Sequence, residues 1–269
     1  MSMADQIAVQ LPYLRRYARA LTGSQASGDT YVRATLEAAL ADRSLLDRIG
    51  QGRVPLYAAF TRVWSSGRVE MAEAASGAVG RNDSACEQAA QTRLSHITPA
   101  YRQALLLTTL EEFTAEEAAT ILDMPAAEID GMVVQAVGEI ERETATDVLI
   151  IEDEPLISMQ LEGLVTDLGH CVIGTAATRT RALEIFAEKP AGLVLADIQL
   201  ADGSSGIDAV EDLLRIGDLP VIFITAYPEQ LLTGERPEPT YLVTKPFQES
   251  TVRAAISQAL FFASGRPLP

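Results

Sequence analysis

A chain of 269 residues with a formal charge of −16 has room for about two domains. Its acidity argues against broad nucleic-acid affinity, which depends on Lys and Arg neutralising phosphates. No apolar stretch approaches the ~20 residues of a membrane span and the amino terminus lacks a basic-then-apolar signal, so a soluble, cytoplasmic protein away from membranes is expected. The two cysteines, Cys86 and Cys171, stand far apart in no metal-ligand spacing and read as free thiols of a reducing compartment.

The first half predicts helices throughout. Leu11, Leu14, Ala18 and Leu21 recur at helical spacing and Gly23 follows as a stop. A second segment from Asp29 carries Val32, Leu36, Ala39 and Leu40 on one face, and Leu45, Leu46 and Ile49 mark a third. After a break at 50–55, Leu56, Phe60, Val63 and Trp64 mark a fourth. These stripes predict a small helical core, with Arg15, Arg16 and Arg19 on the opposite, solvated side of the first helix. Residues 65–87 turn to Ser, Ala and Gly and read as a linker, with room for a weak helix at 69–75.

From residue 88 helical spacing resumes, with Leu94, Ile97, Tyr101, Leu105 and Leu106 available for burial. Thr114 followed by Glu117 is a capping-box pattern that starts a short helix. Leu122-Asp123-Met124-Pro125 makes a turn with the proline placed to begin the next helix. Together they outline a helix-turn-helix, yet residues 94–143 hold ten acids against two bases, a formal charge of −8. Such a segment cannot produce the counterion release that drives DNA binding. Met132, Val133, Val134 and Val137 span more of the helix than one core stripe requires. They are all core, or some of them form an exposed face for a partner helix.

Beyond residue 147 the pattern alternates. Strands are expected at 148–151, 171–176, 193–196, 221–224 and 241–244. Helices are expected at 156–168, 179–188, 207–216 and 249–262, with a short one at 229–232; the run GERPEP at 234–239 leaves little room for anything longer there. Four apolar runs end on polar groups: Glu152 with Asp153, then Asp197, Thr225, and Lys245 before Pro246. In an open α/β sheet, chemistry gathers at the carboxyl ends of the strands. A lone aspartate there can simply cap a turn, but this set suits one reaction. A carboxylate can hold a phosphoryl group as an acyl phosphate, nearby acids bind Mg²⁺, and a hydroxyl and an ammonium hold the phosphoryl oxygens.

The order acidic pair, Asp, Thr-Ala and Lys-Pro resembles the receiver domains of bacterial two-component response regulators. That resemblance implies a flavodoxin-like α/β domain over 147–264 with Asp197 as the phosphoacceptor. It makes Glu152, Asp153 and Asp197 the Mg²⁺ acids, joined by the backbone carbonyl of Gln199, and Thr225 and Lys245 the catalytic groups that sense the phosphoryl. A histidine kinase would be the donor. Leu242 stands three residues before Lys245, where many receivers have a switch aromatic; the neighbouring Tyr241 points to the opposite face of its strand. The usual threonine–aromatic readout is therefore not expected.

The run LPYLRRYARALTG from Leu11, and TPAYRQALLL with the helix-turn-helix after it, resemble regions two and four of extracytoplasmic-function sigma factors. This implies an all-α sigma-like part: region-two-like helices at 1–64, the linker at 65–87, and a region-four-like part at 88–144. Asp130 stands where those factors usually have a lysine, and Met132 and Gln135 where they have arginines. A sigma-like part ahead of a receiver is similar to PhyR-type regulators of the alphaproteobacterial general stress response. The resemblance implies partner switching rather than an enzyme or direct DNA binding. Phosphorylation on Asp197 would release a sigma-mimicking domain that sequesters an anti-sigma factor (NepR in that family) and frees the stress sigma factor. Two other readings compete: a two-component transcription regulator that binds promoters, and a phosphohydrolase with Asp197 as turnover nucleophile. The missing bases oppose the first. The second needs further acid–base groups, and His96 and His170 both lie outside the motif cluster.

Overall fold

The structure, a computed structural model, describes residues 3–78, 98–140, 145–200, 203, 205–217, 219–226 and 240–264. The chain divides into two compact units, one helical through Gln135 and one from Ala136 to Ser264.

In the helical unit, α1 (Met3–Thr22), α2 (Gln25–Ala41), α3 (Arg43–Ile49) and α4 (Arg53–Ala78) come first. Leu14, Ala18 and Leu21 of α1 are buried, as their spacing predicts, and so are Val32, Ala39, Leu56 and Phe60. Helices α1 and α2 cross at Gly28, where an added Cβ would lie 2.7 Å from the Arg19 nitrogen. Ser24 and Asp42 cap α2 and α3 by accepting from the Ser27 and Ser44 N–H groups. Three expectations change. Leu40 does not join the core; it is 75% exposed at the end of α2. Arg16 and Arg19 are not solvated but buried, because carboxylates on other elements reach them. Arg15 and Arg19 both bond Asp29 of α2, at 2.9 Å each. The third change is in the stretch read as linker, whose first part continues α4 as far as Ala78.

Helices α5 (Ala100–Thr109), α6 (Ala115–Leu122) and α7 (Ala126–Ile140) follow. The Thr114–Glu117 capping box forms in both directions. Asp123, in the left-handed region at φ 56°, closes α6. Ile129, Ala136 and Ile140 are buried, Met132 and Val133 half-buried, while Val134 and Val137 are exposed at 72% and 42%.

The second unit is a five-stranded parallel sheet in the order β2-β1-β3-β4-β5. Its strands are β1 (Asp147–Ile151), β2 (Cys171–Ala176), β3 (Leu193–Ala196), β4 (Val221–Thr225) and β5 (Tyr241–Thr244). The helices are α8 (Pro155–Asp167), α9 (Arg179–Glu188), α10 (Gly206–Ile216) and α11 (Glu249–Ser264). Every residue of β3 is buried, as expected of a strand covered on both faces, which reads as an unbroken apolar run. Leu149, Val194, Phe223 and Leu242 share one core with Phe186 and Leu213. Tyr241, on the other face, donates its hydroxyl to the Gln258 carbonyl of α11 at 3.3 Å. The expectations for 229–232 and 234–239, and those for Cys86, Leu94, His96 and Ile97, lie outside the described residues.

Candidate functional site

The strand order reverses direction between β1 and β3, and ligands of doubly wound sheets bind at such a switch point. Glu152, Asp153 and Asp197 emerge there. The ladder continues one residue past each strand: the Glu152 N–H donates to the Ala176 carbonyl at 2.9 Å and the Asp197 N–H to the Ile151 carbonyl at 2.8 Å. Both side chains are therefore fixed at their roots. One carboxylate oxygen from each of Glu152, Asp153 and Asp197 lies within 4.8 Å of the others.

Lys245 reaches the same point from the end of β5. Its Nζ stands 2.7 Å from Asp197 Oδ2, 2.8 Å from Glu152 Oε2 and 3.6 Å from Glu154 Oε1. Its own N–H donates to the Thr225 carbonyl at 2.7 Å, tying the ends of β4 and β5 together. Thr225 is fully buried. The Lys245–Pro246 peptide bond is cis. The other oxygen of Asp197 accepts the Ile198 N–H at 2.6 Å. Asp153, Glu154, Asp197, Gln199, Leu200, Ala226 and Lys245 line a cleft of about 390 Å³.

The electrostatics follow from burial and pairing. Burial pushes the Glu152 carboxyl above its ordinary range, although Lys245 pulls the other way. Burial alone would lower the Lys245 ammonium; its bonds to Asp197 and Glu152 outweigh that and hold it above the usual lysine value. Four acids, Glu152, Asp153, Glu154 and Asp197, against one base leave the site anionic. Hard carboxylate oxygens at this spacing suit a small divalent cation, so the residues present fit Mg²⁺.

The geometry therefore brings together Glu152, Asp153, Asp197 and Lys245, with Gln199 at the cleft wall and Thr225 linked through its backbone. His170 is elsewhere: its Nδ1 accepts the Thr146 N–H at 3.3 Å, at the amino end of β1. Sequence reasoning missed Gly206. An added Cβ at that position would lie 1.7 Å from the Asp197 carbonyl oxygen. The Gly206 N–H also donates to the Ile198 carbonyl at 2.8 Å, and Gln199 bridges Ser205. The two ends of the loop after the phosphoacceptor candidate are thus held together. The Gly-Ser-Ser-Gly composition was the one signal for that closure.

A parallel sheet in this order, ending in an acidic cluster bridged by a lysine, defines a response-regulator receiver. Comparison with known proteins agrees. The receiver-domain profile of response regulators matches residues 148–257, the sigma2 domain of PhyR residues 7–61, and the sigma-like domain of response regulator PhyR residues 94–143. Phyllosphere-induced regulator PhyR of Methylorubrum extorquens is 53% identical over 264 residues, covering 97% of this chain and 96% of that protein. The crystal structure of the response regulator PhyR from Brucella abortus superposes with a TM-score of 0.83 at 48% identity, covering 98% of this chain and 96% of that one. The anti-anti-sigma factor PhyR from Bartonella quintana gives 0.82 at 48% identity, covering 98% and 97%. The chain belongs to the PhyR family of response regulators.

Proposed function

We propose that this chain is a phosphorylation-gated anti-anti-sigma factor. The observation that carries the reading is the presence, in one chain, of a lysine-bridged, metal-competent aspartate and a sigma-like helical unit whose helix α7 carries acids and no bases. A phosphohistidine of a sensor kinase is the proposed donor. Asp197 Oδ attacks its phosphorus, the new P–O bond forms as the donor P–N bond breaks, and the imidazole leaves with the electron pair. Lys245, already on the Asp197 carboxylate, pairs with a phosphoryl oxygen, and Thr225 supplies the hydroxyl. Glu152, Asp153 and Asp197, with the Gln199 carbonyl, are the groups that would hold Mg²⁺, which supplies charge neutralisation for the phosphoryl oxygens. The acyl phosphate shifts the population toward the form whose sigma-like unit binds the partner.

The proposed partner is a NepR-like anti-sigma factor, and the family resemblance to the Bartonella quintana anti-anti-sigma factor supports it. On α7, Val134 and Val137 are the apolar side chains available to it; the half-buried Met132 and Val133 sit at the edge of the same surface. Glu128 and Asp130 are exposed on this helix and would repel a phosphate backbone. The proposed domain boundaries are 1–64, 65–87, 88–144 and 147–264, with α4 running through the first part of the second stretch to Ala78. Among the described residues no helix is long and apolar enough to cross a membrane, and a cytoplasmic setting is part of this reading.

The test is a titration of a NepR-type anti-sigma protein into the full chain with and without beryllofluoride and Mg²⁺. Tighter binding with the phosphoryl mimic, lost in Asp197→Ala, is the expected result. Equal affinities would remove the switch. Tight, salt-sensitive binding to promoter duplexes would favour the transcription-regulator alternative.

A further inference from the structure

Glu111 is the least expected residue of the helical unit. It sits in the turn between α5 and α6 with its side chain fully buried, in a segment otherwise studded with exposed acids. Its carboxylate is met from the other half of the unit. Arg16 of α1 donates Nε to Oε1 at 3.0 Å, while Arg53 (3.1 Å) and the Tyr57 hydroxyl (2.7 Å), both of α4, donate to Oε2. The two guanidiniums also take the neighbouring carbonyls: Arg16 bonds the Leu110 oxygen at 2.9 Å and Arg53 the Glu111 oxygen at 3.0 Å. The Arg53 guanidinium stacks over Phe113 at 4.6 Å, and Tyr57 meets the same ring edge-on at 4.9 Å. Glu112 is held in the left-handed region at φ 56°, a conformation an L residue keeps only when its surroundings impose it. The turn is thus a plug, and α1 with α4 is its socket.

We infer that Glu111 is an orientation latch that fixes the region-four-like helices against the region-two-like helices in one arrangement. An apolar interface tolerates sliding; a buried carboxylate with donors on two helices has one satisfying position, and leaving it strands charges. Buried ion clusters are poor sources of stability compared with apolar replacements, and their best-attested use is to specify a register. For function the latch rests on the anti-sigma reading: a partner that grips both halves meets them already aligned.

The test uses the full chain with Cys86→Ser and Cys171→Ser, spin-labelled through Glu37→Cys on α2 and Thr120→Cys on α6, both exposed positions. Pulsed dipolar spectroscopy should give one narrow distance. Glu111→Gln should broaden or split it while helix content stays constant. The double variant Arg16→Met with Glu111→Met should broaden it as well, with a melting temperature above that of Glu111→Gln, because it no longer strands the buried Arg16. If Glu111→Gln unfolds, the double variant decides. An unchanged narrow distance in the folded variants overturns the latch. If the competent arrangement falls to about one tenth, apparent anti-sigma affinity falls about tenfold. Unchanged affinity beside a broadened distance overturns the functional consequence alone, since the distance measurement needs no partner.

Discussion

Gly206→Ala tests the site most sharply, because it adds one methyl group and no charge. The new Cβ would sit 1.7 Å from the Asp197 carbonyl oxygen and 2.9 Å from its carbonyl carbon. Ordinary contact lies near 3.5 Å, so backbone must part by about 1.8 Å. Neither side can yield cheaply. Gly206 opens α10 and is bonded to Ile198, and Asp197 is bonded to Ile151 of the central strand. Overpacking of this kind costs about 1–3 kcal/mol, a fall of several degrees in melting temperature for a domain of this size. Displacing a reacting group by about 1 Å costs about 100-fold in rate. Phosphoryl incorporation from labelled acetyl phosphate in Mg²⁺, followed beside thermal unfolding, reads both effects. A variant that phosphorylates and melts like wild type would refute the claim that this glycine seats the nucleophile.

Mg²⁺ should stabilise the chain, by about 2.7 kcal/mol at a hundredfold excess over its dissociation constant; Asp153→Asn should reduce that gain in a thermal shift titration. His170 is buried, which lowers its pKa below the ordinary histidine value. Its contribution is therefore present above about pH 6.5 and lost as pH falls toward the folded value, because the unfolded chain binds the proton more readily. Urea midpoints should drop across that window and flatten in His170→Gln. At Asp29, burial would raise the carboxyl, but bonds from Arg15 and Arg19 more than offset it and hold it low. That contribution is present above about pH 3.9 and lost on acidification through the folded value. Asp29→Asn should flatten the acid limb of the same unfolding series and cost about 1–3 kcal/mol near neutrality by weakening the pairing of the enclosed Arg19.

The clustering of the acids with the lysine was legible because strand ends concentrate them. Glu152, Asp153, Asp197 and Lys245 each follow an apolar run, so finding the strands placed the side chains at one edge. The capping box at Thr114 was legible for a similar reason, since both of its partners lie within one turn. Arg16 and Arg19 were misread because burial of a cation depends on its partner, and Glu111 lies 95 positions from Arg16. Helical periodicity placed Leu40 inward, but the stripe there ends before the helix does. Composition marked the stretch after Ser65 as weakly structured, whereas helix geometry carries α4 on to Ala78. Gly206 left only the Gly-Ser-Ser-Gly composition as a trace, because its requirement is a close approach rather than an unusual dihedral.

Under the proposed function, in which Asp197 takes the phosphoryl group, the bond from its amide to Ile151 constrains how phosphate arrives. A nucleophile rooted one residue past a wholly enclosed strand cannot lean out toward its donor. The search for alignment therefore falls to whatever brings the phosphate, which must enter the cleft beside Gln199 and Ala226 at the angle the sheet dictates. Selectivity among competing kinases would be decided by which of them can present a phosphohistidine along that fixed line of approach.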